Sequence, residues 1–101
     1  MEKNKQLFIA EFNLPQPFPP AFLAKIQQQR QFINSKMIEG AIKSYAVSAD
    51  LSRLWMVAIA EDEWAVLALV AEMPLAEWLS PNIQPLMFYN TAEVLTPFSL
   101  N

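Results

Sequence analysis

The sequence predicts an α+β fold in which strands and helices follow one another as β-α-β-β-α-β, with a four-stranded antiparallel sheet. The first observation is a run of seven apolar residues, Leu54 to Ala60, which is short and uniformly apolar in the way of a buried strand. The second is helical spacing between Ala21 and Glu39, followed at once by Gly40, the chain's one glycine. The third is length, because 101 residues make one domain with room for a core.

The first strand is predicted from Leu7 to Leu14, because its even-numbered positions are apolar and so share one face. Glu11 falls on the opposite face of this strand. Four prolines between positions 15 and 20 then end the strand. Pro20 suits a helix start, where a missing N–H costs nothing.

The first helix, Ala21 to Glu39, is predicted from an apolar stripe at helical spacing. The stripe consists of Phe22, Ile26, Ile33 and Met37. Residues 27–31, which include Gln29 and Arg30, form the predicted polar face. Gly40 stands where a helix end favours a positive φ.

The second strand is predicted from Ala41 to Ala49, with Tyr45 and Val47 on one face and Ile42 on the other. Residues 50–53 form a short polar link, consistent with a hairpin into the Leu54–Ala60 strand.

Three acidic residues, 61–63, begin the second predicted helix, since negative charge is favourable at a helix N-terminus. Its predicted apolar faces comprise Trp64, Val66, Leu67, Val70 and Met73. Leu75 to Leu79 suits one short turn, and the last strand is predicted from Asn82 to Tyr89. Pro85 within it indicates an edge position or a bulge.

This order is the ferredoxin-like arrangement, in which both helices lie on one side of the sheet and the first and third strands are central. Those are the two most apolar strands here, so we expect their second face to be covered by a second copy of the chain. The result would be a homodimer joined through its sheet faces, and a higher oligomer is an open alternative. The core is predicted over residues 7–90, and the apolar tail 91–101 is expected to pack on the body or on the partner.

Composition excludes several classes of function. A net charge of −3 and a pI near 4.8 argue against the basic surface that binds nucleic acid. The chain has no cysteine and no histidine, which removes disulfides, thiolate nucleophiles and the commonest transition-metal ligands. No apolar stretch approaches the roughly 20 residues of a membrane-spanning helix, so we expect a cytoplasmic protein without membrane contact.

Several short motifs resemble the C-terminal half of the muconolactone isomerase family. They are Met73-Pro74-Leu75, Trp78-Leu79, Ile83 and Leu86-Met87-Phe88, and the steps Leu14-Pro15 and Glu39-Gly40 fall in comparable places. The similarity spreads over most of residues 7–90. It implies the dimeric α+β barrel superfamily, in which two ferredoxin-like units pack sheet to sheet.

The same resemblance implies an isomerase that moves a proton on a small lactone without a metal or organic cofactor. The chain departs from the family in lacking histidine, which the isomerases carry just after the last strand, near Tyr89 and Asn90 here. No catalytic residue of the family is matched position by position.

Two residues are candidates for catalysis. Glu11, in a predicted central strand, would be partly desolvated there, with a raised pKa that suits proton exchange with a carbon acid. The alternative is a structural carboxylate paired with Lys or Arg. Tyr45 could donate to a substrate carbonyl, or fill the core and bond to a backbone group.

Four residues are candidates for substrate binding. Arg30 could bind a substrate carboxylate in bidentate fashion, or lie in solvent among the glutamines. Trp55 could form an aromatic wall or, like Trp64, belong to the core. Tyr89 and Asn90 could stand at the mouth of a cleft or simply in a turn.

Three functions therefore stay open. The first is a small-molecule protein of the muconolactone isomerase type, acting on a lactone or organic acid held in an apolar cleft. The second is a non-catalytic member of the same fold that binds a ligand or serves in assembly. The third is a cofactor-free monooxygenase.

Overall fold

The structure, a computed structural model, describes residues 4–92 of the chain. Within these residues, two helices and four strands follow the predicted order, and one 3-10 turn, Ala76–Trp78, precedes the last strand. The elements are β1 (Gln6–Asn13), α1 (Pro20–Glu39), β2 (Ile42–Val47), β3 (Arg53–Ala60), α2 (Glu63–Ala71) and β4 (Asn82–Leu86).

The four strands form one antiparallel sheet in the order β2-β3-β1-β4. β1 and β3 are therefore central, as the sequence predicts, and Phe8 of β1 lies opposite Ala58 of β3. The architecture is a compact α+β domain consistent with the ferredoxin-like arrangement. β4 is an edge strand, which accommodates Pro85.

The core lies between the two helices and one face of the sheet. Along β1 its members are the even-numbered residues, so the alternation predicted for this strand is confirmed. Gly40 ends α1 with φ 89°, and its N–H donates to the carbonyls of Lys36 and Met37. The positive φ confirms the sequence prediction for the end of this helix.

The apolar run of β3 meets two different environments. Leu54, Met56 and Ala58 are buried against the helices. On the other face, which we name the open sheet face, Val57 is buried among its neighbours, whereas Trp55 and Ile59 are only half-buried. The run is thus fully covered on one side and partly covered on the other.

The face predicted for Ile42 is wrong. A bulge between Ile42 and Ser44 shifts the register of β2 against β3, so that Ile42 pairs with Ala58 while Tyr45 pairs with Met56. Both β2 side chains consequently lie on the helix side of the sheet, where Ile42 is buried and Tyr45 half-buried.

The core assignment of Trp64 is also wrong. Val66 and Val70, four positions apart, form the buried stripe of α2, as predicted. Trp64 precedes Val66 by two residues, about 200° around the helix, and it is 77% exposed. Asp62 caps this helix by accepting from the Ala65 N–H at 2.9 Å.

The last strand is shorter than predicted, ending at Leu86 rather than Tyr89. The prediction that the tail, residues 91–101, packs on the body or a partner falls almost entirely on residues 93–101, which lie outside the described residues. Within residues 4–92, neither helix is long and apolar enough to cross a membrane.

Candidate ligand-binding cleft

A cleft of about 460 Å³ opens between α1 and the β2–β3 hairpin. Its size falls within the range of small-molecule sites, about 300 to 1,000 Å³. Most of its lining is apolar: Leu14, Phe18, Phe22, Ile26, Ile33, Met37, Val47, Leu51, Leu54 and Leu75. Four polar side chains interrupt that lining: Gln29, Arg30, Asn34 and Tyr45.

The hairpin side of the cleft is tied to the chain that follows β1. The Leu14 N–H donates to the Ser52 carbonyl at 2.9 Å, and Gln16 Nε2 donates to the Leu51 carbonyl at 2.9 Å. Leu51 itself has φ 64°, a left-handed conformation that lets the turn close. These bonds hold the hairpin wall against the connection between β1 and α1.

Two of the aromatic rings that line the cleft, Phe18 and Phe22, belong to a small cluster of packed rings. Phe18 stacks on Phe22 with ring centroids 4.4 Å apart. Phe22 in turn meets the edge of Trp78 at 5.4 Å. Packed rings of this kind give the cleft an apolar, aromatic part of its wall.

Gln29 is 2% exposed and is the one buried polar side chain among the described residues. Its Oε1 accepts from the Leu75 N–H at 3.1 Å, in the connection between α2 and β4. Its Nε2 donates to the Tyr45 hydroxyl at 3.1 Å and to Met73 Sδ at 3.4 Å. The carboxamide therefore uses its oxygen and both of its hydrogens, which is what burial of a polar group requires.

Tyr45 carries its hydroxyl from β2 into this buried region. Burial raises the pKa of the phenol above its ordinary value, because the charged phenolate is poorly solvated there. The hydrogen bond from Gln29 acts in the opposite direction and is the smaller effect. The hydroxyl is therefore neutral at physiological pH, with a proton to donate.

Arg30 and Asn34 stand on α1 at the solvent side of the cleft. Both side chains are exposed, so the guanidinium of Arg30 could meet an anionic group at the mouth without leaving water. Of the six residues singled out from the sequence, the cleft brings together two, Tyr45 and Arg30.

Glu11 lies away from this cleft, on the open sheet face. Its register partner is Trp55, and its Oε2 accepts from Arg53 Nη1 at 2.8 Å, forming a salt bridge between partly exposed side chains. Side chains on opposite faces of one sheet cannot reach the same small ligand within one chain. The structure thus separates Glu11 from Tyr45.

The other three candidates also lie outside the cleft. Trp55 is on the open sheet face beside Glu11. Tyr89 and Asn90 follow the end of β4, at the sheet edge opposite to β2. None of the three lines the cleft.

Gln29 was missed because its residue type pointed to solvent. Its position gave a better signal, since it lies seven residues after Phe22 and four before Ile33, on the same helical stripe. A polar residue within an apolar stripe indicates a buried hydrogen-bond network. This interpretation of its position would have identified Gln29.

The polar groups that line the cleft are an amide pair, a phenol and a guanidinium, and the described lining includes no carboxylate. Within residues 4–92 there is no group of three His, Cys, Asp or Glu side chains placed to hold a metal ion. No protein-family model matches the chain, and no curated protein matches it. The resemblance to the muconolactone isomerases accordingly stays a prediction.

Proposed function

We propose that the protein binds a small, mostly apolar organic acid or lactone in the cleft between α1 and the β2–β3 hairpin. The observation that carries this proposal is the cleft's combination of apolar walls with a few polar groups that include Tyr45 and Arg30. Sites of this composition bind ligands by burying carbon surface, and their polar groups fix orientation.

Binding is favoured over proton transfer within one chain. Isomerisation of a lactone needs a base within hydrogen-bond reach of the substrate carbon. Glu11, the carboxylate considered for that task, is on the far face of the sheet and paired with Arg53. A Tyr45 phenol with a raised pKa is a donor rather than a base near neutral pH.

A titration followed by ¹⁵N–¹H correlation spectra tests the proposal. We expect 2-naphthoate and 2-acetylnaphthalene to shift signals from cleft residues such as Tyr45 and Asn34. Shifts confined to the open sheet face, or no shifts at millimolar ligand, would contradict the proposal.

The charge of Arg30 at the mouth of the cleft can be tested in the same titration. Arg30→Gln should weaken binding of 2-naphthoate by about 2- to 5-fold, the range of an exposed ion pair, and leave 2-acetylnaphthalene unchanged. Lys43→Gln makes the same change of charge at an exposed position outside the cleft. It is the matched control and should alter neither affinity.

We also propose that the protein forms a homodimer through the open sheet face. The support is the apolar character of that face, on which Ile9, Trp55 and Ile59 are half-buried in the single chain and Val57 is buried. An apolar sheet face that is only partly covered in the single chain is a candidate interface between copies of the chain. In such a dimer the Glu11–Arg53 salt bridge would lie at or near the contact.

A further inference from the structure

The orientation of the Gln29 carboxamide is fixed by a backbone group. The Leu75 N–H can only donate, so the atom of Gln29 that faces it at 3.1 Å must be the oxygen. The amide nitrogen therefore faces Tyr45 and Met73. Amide oxygen and nitrogen are often assigned from context, and here the context leaves one arrangement.

This orientation determines the direction of the hydrogen bond to Tyr45. An amide nitrogen has hydrogens and no available lone pair, so the Tyr45 oxygen accepts and its own proton must point elsewhere. Among the described residues, the bond from Gln29 is the one hydrogen bond of this hydroxyl, and Tyr45 lines the cleft. The proton is thus available to a ligand held there.

We propose that Gln29 is a specificity-determining residue, which acts by making the Tyr45 hydroxyl a donor into the cleft. The cleft then selects ligands that place a carbonyl or carboxylate oxygen beside Tyr45 over ligands of the same shape without an acceptor there. This inference rests on the proposed function and names the chemistry that the ligand must present. Gln29 is a positioning residue in this scheme, since it acts through Tyr45.

Two compounds of nearly the same shape test the inference. 2-Acetylnaphthalene carries a carbonyl oxygen where 2-isopropenylnaphthalene carries a methylene group. The measured quantity is the affinity for the ketone divided by the affinity for the alkene. We expect this ratio to be about 2- to 12-fold larger in the wild type than in Tyr45→Phe, which is the range of one net hydrogen bond. Comparing the two ratios cancels the different hydration of the two compounds.

Gln29→Glu tests the positioning role at nearly constant shape. At pH 9 the second carboxylate oxygen would accept the Tyr45 proton, so the ketone preference should fall to the value in Tyr45→Phe. A merely structural role would weaken both compounds equally and leave the ratio unchanged. Gln28→Glu, at the exposed neighbouring position, is the control and should keep the wild-type ratio.

The outcomes separate the inference from the proposed function. If neither compound perturbs the cleft signals, the proposed function fails and the inference fails with it. If both compounds bind in the cleft and their affinity ratio is the same in wild type and Tyr45→Phe, the inference alone is overturned. The Tyr45→Phe comparison keeps this result accessible even if Gln29→Glu does not fold, which far-UV circular dichroism would show.

Discussion

At the scale of single residues, Gln29 connects three parts of the chain that are distant in sequence. From α1 it reaches Tyr45 on β2, Met73 after the end of α2, and Leu75 before the 3-10 turn. If this side chain were lost, the buried Leu75 N–H would lose its acceptor. A buried network of this kind stabilises when complete and destabilises when one member is removed.

Gln29→Met should therefore lower the free energy of unfolding by about 1 to 3 kcal/mol, because it keeps the volume but leaves the Leu75 N–H buried without an acceptor. Urea unfolding at 25 °C measures the change. Gln28→Met, one position along α1 and exposed, should change stability by less than about 0.5 kcal/mol. Equal effects of the two substitutions would contradict the structural role assigned to Gln29.

Residue types alone gave a partial view of the cleft. Tyr45 and Arg30 could be singled out because a phenol and a guanidinium are common ligand-binding groups. Gln29 could not be recognised by type, since glutamine is mostly exposed in proteins. Glu11 was singled out but lies away from the cleft. Its place in a central strand does not indicate which face of the sheet holds the ligand.

At the scale of elements, the turn between β2 and β3 is organised by one carboxylate. Asp50 Oδ1 accepts from the hydroxyls of Ser52 and Ser48 at 2.7 and 2.8 Å, and from the Ser52 N–H at 3.0 Å. These hydrogen bonds, those from Ser52 and Ser48 first, lower the pKa of Asp50 to about 2. The turn carries Leu51, so its order bears on one wall of the cleft.

Protonation of Asp50 should loosen this turn at low pH. The pKa of the folded state lies below the ordinary value of 3.8, so the stabilisation is present above about pH 4 and is lost as pH falls through about 2. We expect the difference in urea midpoint between wild type and Asp50→Asn to be larger at pH 6 than at pH 2. Glu77→Gln, an exposed carboxylate elsewhere, controls for net charge, and the same pH trend in both variants would contradict the assignment.

Element order could be predicted because each helix and strand carries a local signal. The apolar run of β3, the proline at the start of α1 and the glycine at its end are of this kind. The bulge in β2 could not be predicted, because the register of a strand depends on its partner across the hairpin. That bulge places Ile42 and Tyr45 on one face and so brings Tyr45 toward Gln29.

At the scale of the whole molecule, the helices cover one side of the sheet, and the other side is only partly covered in the single chain. The sequence predicts this imbalance, because the central strands are apolar on both faces while two helices can cover one. The same kind of reasoning failed for Trp64 on α2, because an apolar residue type does not by itself place a side chain on the buried stripe.

The proposed dimer through the open sheet face would make stability depend on protein concentration. Each tenfold dilution should lower the free energy of unfolding of the dimer by about 1.4 kcal/mol. Ile9→Lys, which puts a charge opposite Val57 on that face, should remove this dependence and give a monomer in sedimentation equilibrium. Leu23→Lys, on the exposed surface of α1, should preserve the dimer. A wild-type protein that is monomeric at 100 μM would contradict the proposal.

The hydrogen bond from the Leu75 N–H to Gln29 has a kinetic consequence. This backbone amide is held by a side chain of another element rather than by a helix or strand ladder. Its exchange with deuterium therefore reports the separation of α1 from the connection that follows α2, a motion that neither element's own amides would register. One amide signal would thus follow the opening of this region, and slower exchange on adding ligand would show that occupancy of the cleft holds it closed.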